Sequence, residues 1–442
     1  MTRKLFGTDG VRGVAGELLS ADLALGLGRA ATHHTGVGGA RVLVIRDTRE
    51  SGEMLEAALA AGVAAGGGEV LLGGVLPTPA APLLLARYGF DLAAVISASH
   101  NPYRDNGIKF FGADGYKLSD EVELAIEAEL QRGAPAAGDG GPRIGRIRTL
   151  RGTHEDYLRE LSVRFADLRL DGLDVLLDCA NGATYRAAPE IFRRLGAQVT
   201  TIADDPDGRN INDGCGSTHV QALAEQVVAG GHTIGFAFDG DGDRVLAVDR
   251  RGAVVDGDEL MALTALHLHG QGRLVGGGVV VTVMTNYGFH AAMQQAGITV
   301  ATTQVGDRYV LEELRARGWG LGGEQSGHII DMAFNRSGDG IASALLTLEA
   351  LAGGDLSERD AMDKLPQRLT NVRVHDRDAF AEAAGVQEAI AREHASLAGR
   401  GRVLVRPSGT EPLVRVMVEA PTAQEADAVC ARLVALVETE LA

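Results

Sequence analysis

Cysteine is scarce in this sequence. Its three copies, Cys179, Cys215 and Cys430, lie far apart, with neither metal-type spacing nor the density of a disulfide framework. Each reads as a small apolar filler in a reducing compartment. Long apolar runs are missing as well: residues 279–284 are far too short to cross a membrane, and residues 1–7 lack the apolar core of a signal peptide. A cytoplasmic protein with no membrane partner is expected. Basic residues are in deficit, 42 Lys+Arg against 59 Asp+Glu for a net charge of −17, which disfavours nucleic acid and anionic lipid as partners. A phosphorylated ligand then needs a local basic site working against the global field. No Walker loop occurs, so ATP is not the obvious source of phosphate.

What the chain does carry is a repeated α/β grammar. At 442 residues it is too long for one ordinary core, and two to four domains are expected. Three segments each run strand, polar loop, helix, strand: 41–45 to 70–72, 173–177 to 198–202, and 278–281 to 299–301. They predict three similar α/β domains with mainly parallel sheets. Residues 133–142, rich in glycine, alanine and proline, read as a flexible surface segment. Beyond Pro366 the pattern changes. Strands at 402–405 and 414–418 precede the capping box Thr422-Ala423-Gln424-Glu425. The helix after it is apolar at Ala426, Val429, Cys430, Leu433, Val434 and Val437, which makes a small α+β module.

Ser99 follows the apolar run 92–96, which suits a buried strand, and precedes Asn101-Pro102, which breaks the chain into a loop. A hydroxyl at such a strand end is where α/β enzymes place chemistry. The nucleophile elbow Gly-x-Ser-x-Gly of serine hydrolases is missing: Ala98 and His100 flank Ser99, and position 97 is serine where the elbow needs glycine. Taken alone, the segment reads better as a turn that caps a strand.

The sharpest signal is Asp239-Gly240-Asp241-Gly242-Asp243-Arg244, reached from the apolar run 234–238. Three carboxylates at alternate positions repel one another and demand a cation. The two glycines let the backbone curl so that the oxygens converge on one hard ion, Mg²⁺ or Ca²⁺. Counted from Asp239, Arg244 and Arg250 stand where an EF-hand needs Gly and Glu, so that motif is excluded and Mg²⁺ is preferred. In Arg406-Pro407-Ser408-Gly409-Thr410-Glu411-Pro412, two hydroxyls, a glycine and an arginine fork make a phosphate cradle, with Arg415 as a second cation; an ordinary turn between strands fits equally well. Glu324-Gln325-Ser326-Gly327-His328 offers the mixed donors and acceptors that sugar hydroxyls need, while a hydrogen-bonded structural role fits His328 equally well. Lys109 by default is a surface lysine; the functional readings are contact with a phosphoryl oxygen, or acid/base work if its pKa is depressed. Arg12, in the glycine-rich residues 7–13, is a further candidate phosphate contact, with a plain turn as the other reading.

In order along the chain, residues 6–13, 96–102, 239–244, 323–328 and 406–412 resemble the motifs of the α-D-phosphohexomutase superfamily, and the resemblance spans essentially the whole sequence. It implies an α/β fold of four domains around a central cleft, the last of them α+β. Their expected bounds are 1–152 with the catalytic serine, 153–252 with the metal loop, 253–368 with the sugar loop, and 369–442 with the phosphate loop, a domain that hinges to close the cleft. The N-terminal loop, the form of residues 324–328 and the run from Asn212 to His219 resemble the branch that acts on glucosamine phosphates. Ile45 is a small departure, since relatives commonly have glycine before Arg46.

That resemblance implies a phosphoserine at Ser99 whose phosphate caps one Mg²⁺ held by Asp239, Asp241 and Asp243. Glucosamine 6-phosphate then binds with its own phosphate on Arg406, Ser408, Gly409, Thr410 and Arg415. The Ser99 phosphoryl group passes to O1, the 1,6-bisphosphate turns over, and its 6-phosphate returns to Ser99, leaving glucosamine 1-phosphate for UDP-N-acetylglucosamine and cell-wall precursors. Lys109 and His328 are the implied acid/base groups, with His100 beside the serine; Arg12 and Arg244 orient the phosphates, and Glu324 and Ser326 hold sugar hydroxyls. A glucosamine or glucose 1,6-bisphosphate activator and a homodimer are further implications. A phosphomannomutase/phosphoglucomutase uses the same machinery on another sugar. A metal-dependent sugar-phosphate phosphatase and a non-catalytic binding protein are rivals from other classes.

Overall fold

A computed structural model describes residues 5–7, 9–132, 144–376, 378–408 and 411–441; the glycine- and proline-rich segment 133–142 lies outside them. The chain separates into two compact units. The first takes the chain up to Val283 together with Ala301–Arg359, and the second takes Met284–Val300 and the chain from Asp360 onward.

The first unit carries three mixed sheets. The largest has seven strands in the order Phe6–Gly7, Gly10–Val14, Asp105–Gly112, Leu92–Ile96, Arg41–Arg46, Glu69–Val75, Ile147–Thr149. Strands from Leu92–Ile96 onward in that order are parallel, and the pairings on its other side are antiparallel. The run 92–96 has no polar face, as a strand covered on both sides requires, and all five residues are buried. Helices Ala21–His34 and Gly52–Ala65 share one core with it, through Leu27, Leu55, Leu59 and Val63. A Cβ on Gly62 would stand 1.9 Å from the Leu25 carbonyl oxygen. The small residues of the second helix are therefore what lets the two backbones approach.

The second sheet runs Val254–Val255, Val245–Asp249, Ile234–Phe238, Asp174–Asp178, Gln198–Ile202, the last three parallel. The third runs Thr299–Thr303, Gly278–Thr282, Leu321–Gly323, Ile329–Asp331, with Thr299–Thr303 entering the unit at Ala301. Strands Leu92–Ile96, Ile234–Phe238 and Leu321–Gly323 are buried throughout. Each delivers one of the loops singled out in the sequence from its carboxyl end, where open α/β sheets place their ligands.

The second unit has an antiparallel sheet, Gln367–Arg373, Leu413–Glu419, Arg402–Pro407, in that order. Val386 and Ala389 of helix Ala384–Ser396 and Ala426, Val429, Cys430, Leu433 and Val437 of helix Ala423–Leu441 share its core, with Val434 partly buried. Thr422 Oγ1 accepts the Glu425 N–H at 3.2 Å, one half of the expected capping box. One assignment differs from the sequence pattern. Helix Tyr287–Gln295, which completes the third strand–helix–strand segment, groups with this second unit. The reason is local: the Tyr287 N–H donates to Glu419 Oε2 at 2.8 Å and Arg402 Nη2 donates to the Thr285 carbonyl at 2.6 Å. Among the described residues no helix is long and apolar enough to cross a membrane.

Candidate active site

Ser99 is fully buried and its φ is +52°, a left-handed backbone that costs a residue other than glycine about 1 kcal/mol. Its Oγ donates to Asp239 Oδ2 at 2.5 Å and lies 3.4 Å from His100 Nδ1. The strand-end hydroxyl and the acidic loop therefore meet, although they come from different sheets.

The curl of the acidic loop depends on its glycines. A Cβ on Gly240 would stand 2.6 Å from the Ser99 carbonyl oxygen, and Gly242, at φ +73°, would put one 2.5 Å from Thr184 Cγ2. Asp239, Asp241 and Asp243 are all buried, and one oxygen from each lies within 4.8 Å of the others. Asp239 Oδ1 accepts the Arg244 N–H at 3.2 Å, and Asp241 Oδ2 accepts from Thr78 Oγ1 at 2.6 Å and from Lys109 Nζ at 2.8 Å. Asp241 Oδ1 and Asp243 Oδ1 are buried and accept no hydrogen bond among the described residues. Carboxylate oxygens so placed are costly unless a cation takes them, and three converging oxygen donors suit a hard ion such as Mg²⁺. The electrostatics agree. Burial, then the charges of Asp243 and Asp241, push the Asp239 carboxyl well above the usual range. Burial acts on Asp241 in the same sense, but the charge and hydrogen bond of Lys109 outweigh it and hold Asp241 below that range.

Lys109 is buried, 3.0 Å from Asp9 Oδ2 as well as 2.8 Å from Asp241. Burial alone favours its neutral amine, yet Asp241, Asp9 and Asp243 raise its pKa above the ordinary lysine range. The depressed pKa that acid/base work by Lys109 requires is thus absent among these carboxylates, and the geometry favours a fixed ammonium. The charges continue around the site. Lys117 bonds both Asp9 and Asp307; Asp307 lies 3.9 Å from His328 Nε2; and His328 Nδ1 lies 3.6 Å from Asp243 Oδ2. Burial lowers the His328 pKa, and Asp243, Asp307 and Glu324 more than restore it. His328 Nε2 accepts the Gly338 N–H at 3.2 Å, so in the neutral ring the proton sits on Nδ1, facing Asp243.

Arg12 bonds Asp9, and Arg244 Nε lies 3.8 Å from Asp243 Oδ1; both guanidinium groups keep part of their surface open. Burial, then Arg244 and Arg12, lower the pKa of His100. Glu324 is buried, its Oε1 accepting the Gly306 N–H at 2.9 Å, while Ser326 is exposed. The Val245 N–H donates to the Gly327 carbonyl at 3.1 Å, which seats the 324–328 loop on the strand leaving the acidic loop. Asp9, Thr78, Lys117 and Asp307 were not singled out in the sequence. Asp9 had a signal, lying three residues before Arg12, whereas Lys117 and Asp307 meet across 190 positions with no local pattern.

In the second unit, Arg406 and Arg415 are direct cross-strand partners. Like charges so placed destabilise a sheet; burial and Arg415 lower the Arg406 pKa, and Arg415 Nε is buried without a hydrogen-bond partner among the described residues. An anion relieves both. Ser408 is buried, its Oγ accepting the Glu411 N–H at 3.4 Å. Gly409 and Thr410 lie outside the described residues.

Comparison with known proteins places four family models along the chain. These are the phosphoglucomutase/phosphomannomutase alpha/beta/alpha domains I, II and III, at residues 3–136, 154–252 and 256–369, and the C-terminal domain at 369–436. Among curated relatives, the phosphoglucosamine mutase of Moorella thermoacetica is 52% identical over 440 residues, 97% of this chain and 98% of its own. That of Desulforudis audaxviator is 53% identical over 425 residues, 94% of each chain. Among solved structures, a phosphoglucomutase/phosphomannomutase family protein from Burkholderia thailandensis has a TM-score of 0.81 at 23% identity, covering 99% of this chain and 97% of its own. An Aspergillus fumigatus N-acetylphosphoglucosamine mutase, in complex with GlcNAc-6P and magnesium, has a TM-score of 0.70 at 19% identity, covering 99% and 96%. At those identities the structures establish the shared fold.

Proposed function

The chain belongs to the phosphoglucomutase/phosphomannomutase family, and from that premise we propose that it interconverts glucosamine 6-phosphate and glucosamine 1-phosphate, with Ser99 as the carrier of the phosphoryl group. The sugar follows from relatives of that activity at about half identity over nearly the full length; a glucose- or mannose-phosphate mutase is not favoured. The role of Ser99 rests on one observation above all: its Oγ sits 2.5 Å from Asp239 Oδ2, within a buried carboxylate triad that has oxygens to spare.

In the first half-reaction the O1–P bond forms as the Oγ–P bond of phosphoserine breaks, and the proton of O1 ends on Ser99 Oγ. The second half repeats this in reverse on the bisphosphate: Oγ takes the 6-phosphoryl group and its proton ends on O6. Asp239 Oδ2 already accepts the Ser99 Oγ–H and holds that proton at the right oxygen. His328 is the proton carrier for the sugar hydroxyl, and Lys109, a fixed ammonium, offsets charge on the phosphoryl oxygens. Arg12, Arg244 and His100 orient them. Asp239, Asp241 and Asp243 hold one Mg²⁺, which, when bound, neutralises charge that develops on the transferring group. Glu324 and Ser326 take sugar hydroxyls, and Arg406, Ser408 and Arg415 take the phosphate that is not reacting, with Gly409 and Thr410. A sugar 1,6-bisphosphate primes the serine. Three buried free thiols fit a reducing cytoplasm.

Relative kcat/KM on glucosamine 6-phosphate, glucose 6-phosphate and mannose 6-phosphate tests this. The amino sugar is expected to lead. Preference for either neutral sugar overturns the substrate, and release of inorganic phosphate without the 1-phosphate overturns the mutase reaction.

A further inference from the structure

Ser99 is held in its left-handed conformation by its neighbours. The peptide planes on both sides of it are clamped. On the amino side, the Ser99 N–H donates to Ser97 Oγ at 3.0 Å, and Ser97 Oγ donates to Asp47 Oδ2 at 2.5 Å. On the carbonyl side, the Ser99 oxygen accepts from Arg49 Nη2 at 2.9 Å and from Asn212 Nδ2 at 2.9 Å. The same two groups reach the Asn101 carbonyl, at 2.8 Å and 3.1 Å. Each carbonyl thus has both lone pairs filled, one from each side chain.

Arg49 is completely buried. Its Nε donates to Asp47 Oδ2 at 2.8 Å, and Nη1 donates to the carbonyls of Asp105, at 2.9 Å, and Pro102. All five of its N–H donors are therefore used, four of them on backbone carbonyls of the serine loop. Asn212 arrives from the loop between strand Gln198–Ile202 and helix Gln221–Gly230, is itself at φ +58°, and is anchored by its N–H to the Ala180 carbonyl at 2.9 Å. A Cβ on Gly240 would stand 2.7 Å from Asn212 Nδ2 and 2.6 Å from the Ser99 oxygen. The amide therefore lies where the serine loop and the acidic loop touch. Two of these donors, Arg49 Nη2 and Asn212 Nδ2, land on the carbonyl of the residue whose Oγ must point at phosphorus.

We propose that Arg49 and Asn212 are positioning residues that fix the φ and ψ of Ser99, and with them the direction of its Oγ, in both half-reactions. This rests on Ser99 being the phosphoryl carrier. A buried guanidinium is needed rather than an ammonium, because only the planar fork spans carbonyls on both sides of the loop. Asn212 differs in that it ties the serine to the second sheet and hence to the metal loop.

Two variants test it, compared with wild type and Ser99→Ala. Asn212→Gly accepts the positive φ without strain and removes both side-chain donors, leaving Arg49 to hold the loop. Arg49→Lys keeps the charge beside Asp47 but loses the fork. With folding checked by cooperative unfolding, Asn212→Gly is expected to lower kcat for glucosamine 6-phosphate on the order of a hundredfold, as small misplacements of reacting groups do, with KM changed less than about threefold. Rephosphorylation of Ser99 by glucose 1,6-bisphosphate is expected to slow in parallel, and Arg49→Lys to behave alike. If Asn212→Gly unfolds more easily yet keeps kcat within about twofold, or changes KM alone, the positioning role is overturned, even if Arg49→Lys fails to fold. If Ser99→Ala keeps full activity, the carrier reading itself fails, a distinct result.

Discussion

Lys109 Nζ and Asp241 Oδ2 are 2.8 Å apart, and both side chains are buried. The pair couples the strand beside the serine to the acidic loop, and each charge is tolerated there because of the other. Without Asp241, Lys109 keeps Asp9 at 3.0 Å as its close partner, and the charged hydrogen bond that is lost is worth about 1.5–3 kcal/mol. Asp241→Asn is therefore expected to lose about that much stability in urea denaturation, together with metal binding in calorimetric titration and nearly all activity. A loss well under about 1 kcal/mol contradicts the pairing.

The two carboxylate oxygens without partners, Asp241 Oδ1 and Asp243 Oδ1, make metal removal a sharp test. Chelation is expected to abolish turnover and Mg²⁺ to restore it. At about a hundred times Kd the ion contributes about 2.7 kcal/mol to the folded state, seen as a rise in Tm of several degrees. Asp239→Asn is expected to lose that rise. A wild-type Tm indifferent to Mg²⁺ contradicts the metal site.

The parts of this site that were legible in the sequence are those whose chemistry is local. Ser99 announced itself by a buried strand and a loop breaker, and the acidic triad by its alternation with glycine. Arg49 lay in plain view, in a polar loop after a strand, with nothing to say that its five donors find acceptors in another loop. Lys117 and Asp307 are ordinary surface types until the fold brings them together, part-buried. Helix Tyr287–Gln295 was predicted, but an apolar helix face does not say which core it will join, and here Glu419 and Arg402 decide it. The raised pKa of Lys109 was not readable at all, because it comes from three carboxylates distant in sequence.

In the second unit the opposed Arg406 and Arg415 set a test independent of Ser99. A charged hydrogen bond to phosphate is worth about 1.5–3 kcal/mol. Arg406→Ala is expected to raise KM for the sugar phosphate about tenfold to a hundredfold, while the unit gains stability from relief of repulsion. Steady-state kinetics and thermal unfolding read the two effects; an unchanged KM removes this arginine from the substrate.

His290 gives the unit a pH dependence. Burial, then the charge of Arg402, pull its pKa down to about 4, against about 6.5 unfolded. The unfolded chain thus binds the proton more readily. Stability is full above about pH 6.5 and is lost as pH falls toward 4, by about 2 kcal/mol at pH 4.5. Denaturation of wild type and His290→Gln at pH 7 and 4.5 checks this; the variant is expected to lose less on acidification, and equal losses assign the effect elsewhere.

The phosphoryl carrier is tested most directly by intact mass and phosphopeptide mapping after incubation with glucose 1,6-bisphosphate and Mg²⁺. One phosphate on Ser99 is expected, discharged by excess glucosamine 6-phosphate as the bisphosphate appears, and absent from an inactive Ser99→Ala. A phosphate found elsewhere, or Ser99→Ala turning over at the wild-type rate, contradicts the assignment.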